Sequence, residues 1–154
     1  MKYYLDTEFD GFNGKLISLA LVPHDRTLSD FYITANDVVP KNKWVKDNVM
    51  PILSLKGAQP ILTTTPYISG YLVQYLHNQN RPSDSIHIVS DWPDDIRYLM
   101  ACLITGPGEM VNLKRMSMEF IRCETYPTDM LNAVQHNALW DARVLRHTLQ
   151  RAQQ

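Results

Sequence analysis

Hydrophobic and polar positions at the start of the chain alternate in short runs separated by turn residues. Lys2–Asp6 is one such run, with Tyr3, Tyr4 and Leu5 in sequence, and Leu16–Val22 is a longer one. Asn13-Gly14 between them is a strong turn signal, so the two runs predict an antiparallel hairpin with a loop rich in Asp, Gly and Phe. A turn at His24-Asp25-Arg26 predicts a third strand over Asp30–Thr34, and with it an antiparallel meander.

Beyond residue 40 the spacing changes. Pro40–Leu55, bounded by Pro40 and Pro51, predicts a short helix. Over Thr65–Gln79, Tyr67, Ile68, Tyr71, Leu72, Tyr75 and Leu76 recur at helical spacing, with Pro66 in the first turn and Thr65 as a cap. Ser85–Ser90 predicts a strand. Pro93–Ile104 predicts a helix that buries Ile96, Leu99, Met100 and Leu103. Gly106-Pro107-Gly108 is a loop, Met110–Ile121 an extended stretch, Pro127–Val134 a short helix and Ala138–Gln153 a final long helix. No repeat, linker or low-complexity tract divides the chain, so a single domain over 1–154 is expected. Strands that follow helices join a sheet in parallel through right-handed crossovers. The order therefore predicts an α/β fold, a mixed sheet with helices on both faces.

Composition narrows the class. With 45% hydrophobic and 20% charged residues, a folded globule is expected rather than a disordered chain or a fibre. No apolar run reaches the roughly 20 residues of a membrane span, and Asp6 and Glu8 interrupt the core that a signal peptide would need. Cys102 and Cys123 lack CxxC spacing, which argues against a disulfide framework or structural zinc and for a reducing, cytoplasmic compartment. The formal net charge is −1, so binding of a polyanion would need local patches or bound cations.

Three segments carry candidate chemistry. Asp6 and Glu8 lie two residues apart on a strand, on one face with Tyr4, while Leu5 and Thr7 take the other. Paired carboxylates repel unless a cation sits between them, and a hard ion such as Mg²⁺ or Mn²⁺ suits oxygen ligands. The competing reading is a solvated pair at a strand end. In Gln135-His136-Asn137-Ala138-Leu139-Trp140-Asp141-Ala142-Arg143, five residues turn a helix by about 140°, so His136 and Asp141 cannot share a face of one helix. They converge if Asn137 caps the helix, leaving His136 on the loop and Asp141 one turn inside. His136 could then serve as a general base beside a ligating carboxylate near the positive helix end. Between these segments, Asp91, Asp94 and Asp95 crowd a strand–helix junction, where some could be helix caps and one a third inward-facing ligand.

Asp6-Thr7-Glu8-Phe9, an Asp followed by x-x-aromatic-Leu in Asp95-Ile96-Arg97-Tyr98-Leu99, and His-x-Ala-x-x-Asp-Ala at His136–Ala142 together resemble the three motifs of the DEDDh exonuclease superfamily. That group includes the proofreading subunit of bacterial DNA polymerase, ribonuclease T and oligoribonuclease. Trp44-Val45-Lys46-Asp47-Asn48-Val49-Met50-Pro51 and the short chain resemble a compact branch of bacterial and phage 3′–5′ exoribonucleases. In the middle motif, Asp95 matches the family pattern, Asp91 one turn earlier is the alternative, and Asp94 stands where an aromatic often precedes the catalytic Asp.

The resemblance implies a ribonuclease H-like fold with a five-stranded mixed sheet. It implies Asp6, Glu8, Asp95 and Asp141 as ligands of two divalent ions (Mg²⁺ or Mn²⁺), which in two-metal sites lie about 3.5–4 Å apart. One ion would carry the attacking water, whose proton passes to neutral His136, and the other would stabilise the leaving 3′ oxygen. The product would be nucleoside 5′-monophosphates from single-stranded or 3′-overhang RNA. Phe9, next to the first motif, would stack on a terminal base. Phe12 and Trp92 are other aromatics of that kind, and Lys114, Arg115, Arg143 and Arg146 offer positive charge, although charges of this kind more often form a solvated face. A DNA exonuclease with the same site, or a noncatalytic nucleic-acid-binding domain, are the competing functions. Many members of the family dimerise, so the partners implied are RNA (or DNA), no membrane, and a second copy of the chain.

Overall fold

A computed structural model describes residues 1–55, 57–80, 84–113 and 115–152. Strand β1 (Lys2–Phe9) pairs antiparallel with β2 (Leu16–Pro23), and β2 with β3 (Phe31–Ala35), forming the meander. Gly11 at φ 70° and Asn13 at φ 58° carry the left-handed backbone that closes the β1–β2 loop. Asp10 in that loop accepts the N–H groups of Lys41 (2.7 Å) and Asn42 (2.9 Å), which ties the loop to the start of helix α1 (Lys43–Asn48).

The predicted Pro40–Leu55 helix contracts to α1 and a 3-10 turn at Met50–Ile52. Pro51 lacks an N–H, and its ring disfavours α geometry at Met50, so the helix cannot run on. Strand β4 (Ile61–Thr63), which the pattern does not predict, adds parallel to β3. Three residues are too few to display a period. A 3-10 turn at Thr65–Tyr67 leads into α2 (Ile68–Gln79). Thr65 does not act as a cap; its own N–H and hydroxyl donate to Asp37 (2.8 and 2.9 Å).

Next come β5 (Ile86–Ser90), α3 (Pro93–Leu103), a small hairpin of β6 (Ile104–Gly106) and β7 (Glu109–Met110), β8 (Met116–Phe120) and α4 (Ala138–Arg151). Of the extended stretch predicted over Met110–Ile121, only β8 joins the main sheet; Lys114 lies outside the described residues, as does Gln153 of the predicted final helix. Pro127–Val134 is not a helix but a series of bends and turns. Asn132 sits at φ 65°, and the Thr128 hydroxyl accepts the Met130 N–H, so local side-chain bonding replaces the helical ladder.

The main sheet is mixed and has six strands, not the expected five, in the order β4-β3-β2-β1-β5-β8. The extra strand is β4. Helices cover both faces. Tyr3, Leu5, Leu19 and Ile88 pack with Leu72, Leu76, Leu99 and Leu103 of α2 and α3, while Tyr4, Ala20, Val22 and Val89 pack with Leu139, Ala142 and Leu145 of α4. Every residue of β2 is buried, as a strand covered on both faces requires. Among the described residues no helix is long and apolar enough to cross a membrane.

Strand directions decide where loops gather. β1, β3, β5 and β8 run the same way, so their carboxyl ends open on one edge of the sheet. β1 pairs with β5 only from Lys2↔His87 to Tyr4↔Val89 and then runs past it. The overhang carries Asp6, Thr7 and Glu8.

Candidate active site

Each acidic segment arrives at that overhang for a local reason. Thr7 points away from Asp6 and Glu8, and its N–H and hydroxyl both donate to Asp95 Oδ1 (3.1 and 2.7 Å). Asp95 Oδ2 accepts from the Ser90 hydroxyl at 2.8 Å. Asp95, in the first turn of α3 and only 1% exposed, is thereby pinned between β1 and β5. Asp94 turns outward to Arg97 (2.9 Å), whereas Asp91 stands beside Asp6 and Asp95. Among the described residues no side chain caps α3, so neither Asp91 nor Asp94 plays the capping role.

The start of α4 is built as the spacing predicts. Asn137 is the N-cap: its Oδ1 accepts the Trp140 N–H at 3.2 Å, and its Nδ2 donates to the Ile52 carbonyl at 2.7 Å. His136 precedes it in a left-handed conformation, φ 67°. Asp141, one turn inside, accepts the His136 N–H on Oδ2 at 2.9 Å. The other oxygen, Oδ1, accepts from the Tyr126 hydroxyl at 2.8 Å. Because Asn137 is fully buried and satisfies both a helix donor and a loop carbonyl, Asn137→Ala is expected to cost about 2–3 kcal/mol and lower Tm by roughly 5–10 °C. Asn137→Asp, which keeps the cap acceptor, should recover part of that loss in a thermal melt.

These groups line a cleft of about 480 Å³, whose wall is completed by Phe9, Trp44, Trp92, Thr125, Tyr126 and Gln135. Two sets of these side chains cluster in the cleft. Glu8, His136 and Asp141 form one and Asp6, Asp91 and Asp95 the other, each with potential ligand atoms within 4.8 Å of one another. Asp91, the second choice for the middle motif, therefore joins Asp95 rather than replacing it.

Crowding sets the charge states. Burial first, then the neighbouring Asp95, Asp141, Glu8 and Asp91 charges, pushes Asp6 well above the usual carboxylate range. Although Asp6 as a residue is only half-buried, protein rings its carboxylate: Oδ2 is out of reach of water and has no hydrogen-bond partner among the described residues. Glu8 rises for the same reasons, burial first and then Asp141 and Asp95. Asp95 and Asp141 are each pushed up to about 7, chiefly by burial, with the hydrogen bonds they accept working the other way. Burial lowers the pKa of His136, which favours the neutral imidazole. Burial and the adjacent Asp141 raise the Tyr126 phenol, so it keeps its proton.

Phe9 lies over Tyr98, with ring centroids 4.7 Å apart, and still borders the cleft. The edge-to-face pair of Trp44 and His136, 4.8 Å between centroids, sets the imidazole against α1. Trp44 and Trp92 are about half exposed, and Phe12 is exposed away from the cleft lining. Arg143 and Arg146 do not reach the cleft. Arg143 bonds Asp30 (2.7 Å), and Arg146 bonds the Pro23 carbonyl (2.8 Å) and lies near Asp30. Arg115 is exposed outside the cleft lining. Tyr126 and Trp44 are cleft residues that sequence reasoning did not single out for roles. Tyr126 lies in an aperiodic stretch with no motif, so no local signal marks it. No protein-family model and no curated protein sequence matches the chain.

Proposed function

We propose that the cleft is the active site of a metal-dependent phosphodiester hydrolase on a ribonuclease H-like fold. Within that class, we infer a 3′–5′ exoribonuclease of the DEDDh type that acts on single-stranded or 3′-overhang RNA. One observation carries the reading: carboxylates from three separate segments crowd around Asp6, whose buried Oδ2 has no hydrogen-bond partner among the described residues, beside an imidazole that burial keeps neutral. Such a cluster is costly without positive charge. A hard divalent cation fits its all-oxygen donors.

Asp6, Glu8, Asp95 and Asp141 would hold two such cations (Mg²⁺ or Mn²⁺), with Asp91 beside them. When bound, the cations supply Lewis-acid stabilisation to a phosphoryl group and invert the local field of an acidic protein. The protein's own groups do the rest. His136, presented over the cleft by the Asn137 cap and braced by Trp44, accepts the proton of the attacking water. Attack forms the new oxygen–phosphorus bond and breaks the bond to the 3′ oxygen of the preceding nucleotide. That oxygen takes a proton from solvent, leaving a nucleoside 5′-monophosphate and a strand one nucleotide shorter. Phe9, packed at a 31° tilt against Tyr98, offers a ring to the terminal base.

The test uses purified protein with Mg²⁺ or Mn²⁺ and matched RNA and DNA, single-stranded or with 3′ overhangs, labelled at the 5′ end. A descending ladder on RNA with release of 5′-monophosphates is expected. A ladder on DNA alone assigns the DNA exonuclease instead. Binding without metal-dependent turnover assigns a binding domain, and internal cuts assign an endonuclease.

A further inference from the structure

We propose that Tyr126 is a positioning residue that fixes Asp141 as a cation ligand, an inference that rests on the reading of the carboxylate cluster as a divalent-cation site. Tyr126 belongs to none of the three motifs. It lies in the aperiodic segment between β8 and α4, where only the fold brings it to Asp141.

A carboxylate can rotate about its last bond and offer its lone pairs in several directions. Asp141 cannot do so freely, because a donor holds each oxygen: the Tyr126 hydroxyl on Oδ1 at 2.8 Å and the His136 N–H on Oδ2 at 2.9 Å. Each oxygen accepts one bond and retains further acceptor capacity. The two clamps orient the carboxylate plane within the set where Asp141, Glu8 and His136 present ligand atoms within 4.8 Å of one another. The clamps differ in kind. The His136 N–H is backbone and comes with the helix start, whereas the Tyr126 hydroxyl is a side-chain group that the protein could lack without changing the helix. Outer hydrogen-bond partners of this type typically change metal affinity by about 10–100-fold when removed. Phenol suits the task because it donates without bringing a charge that would compete with the cation.

The experiment titrates Mn²⁺ alone, without nucleic acid, into the wild-type chain, Tyr126→Phe and Asp6→Asn, by calorimetry or by the electron paramagnetic resonance of free Mn²⁺. Tyr126→Phe keeps the ring and removes only the donor. It should bind Mn²⁺ roughly 10–100-fold more weakly than wild type, with a metal-free Tm within about 2 °C of wild type. Raising Mn²⁺ should restore its turnover of RNA, a rescue that a purely structural role or a direct contact with substrate would not give. Equal Mn²⁺ affinity in wild type and Tyr126→Phe overturns the inference and leaves the site reading intact. Wild type that binds no Mn²⁺, or Asp6→Asn that binds it as well as wild type, overturns both. Mn²⁺ binding weakened in Tyr126→Phe, together with no hydrolysis of any nucleic acid by wild type, upholds the role of Tyr126 and removes the nuclease reading.

Discussion

Asp6→Asn is expected to abolish Mg²⁺-dependent release of nucleoside 5′-monophosphates while raising the thermal stability of the metal-free protein. The two effects have one origin. Asp6 sits among Asp95, Asp141, Glu8 and Asp91, and its buried oxygen has no compensating hydrogen bond among the described residues. Asparagine is nearly the same shape, cannot ionise within the cluster, and adds an N–H₂ that can donate to the remaining carboxylates. Relief of repulsion and of desolvation is expected to add about 1–2 kcal/mol, a gain of roughly 2–8 °C in Tm measured in chelator. Activity moves the other way. Losing several kcal/mol of charge stabilisation at a phosphoryl group costs on the order of a thousandfold, since each 1.4 kcal/mol is about tenfold. The same trade between stability and function is common where sites concentrate like charge. His136→Ala should lose activity to a similar extent without the stability gain, because it removes no negative charge. Activity retained in Asp6→Asn, or a folded state weakened by it, would contradict the charge argument at its source.

The second large effect is on stability against pH. In chelator, Tm is expected to fall as pH rises from 5 to 8, by on the order of 10 °C. Asp95 and Asp141 are pushed up to about 7 in the folded chain, against an ordinary value of 3.8, and burial and the neighbouring carboxylates hold Asp6 and Glu8 well above the usual carboxylate range. Between about pH 4 and 7 the folded protein holds protons that the unfolded chain has already released. That advantage is complete below the unfolded values and is lost as pH climbs through the folded ones. His136 works in the opposite sense, because burial lowers its pKa and acid must charge it, but one imidazole does not outweigh four carboxylates. Millimolar Mg²⁺ or Mn²⁺ should reverse the trend, raising Tm more at pH 8 than at pH 5, because cations and protons compete for the same oxygens. Differential scanning fluorimetry across this pH range, with and without metal, reads both halves. A metal-free Tm that stays flat or rises between pH 5 and 8 would refute the account.

Much of the local architecture could be read before any fold was known. The β1–β2 turn follows from Asn13-Gly14, and the placement of Asp6 and Glu8 on one face follows from strand alternation. The arrangement of His136 outside and Asp141 inside a helix capped by Asn137 follows from hydrogen-bond accounting at a helix end. These are short-range consequences of backbone geometry, expressed within a few residues. The misreadings have equally physical causes. Pro51 stops a helix that apolar spacing alone would extend, Thr128 and Asn132 divert the backbone of Pro127–Val134 into turns, and β4 is too brief to show alternation.

Contacts between distant segments were beyond that reach. Three neighbouring aspartates look alike in sequence. Packing turns Asp94 out to Arg97, pins Asp95 to Thr7 and Ser90, and leaves Asp91 beside Asp6. Arg143 and Arg146 could have faced a polyanion, yet Arg143 is ion-paired with Asp30, and Arg146 bonds the Pro23 carbonyl beside it. Tyr126 meets Asp141 only because β8 delivers the following segment to the edge where α4 begins. Residue types and their periods state which groups are able to share a site, since those depend on chemistry and local geometry. Which of them do share it depends on strand order and on the side chains that bury one another across the sheet, terms that exist only once the whole chain has packed.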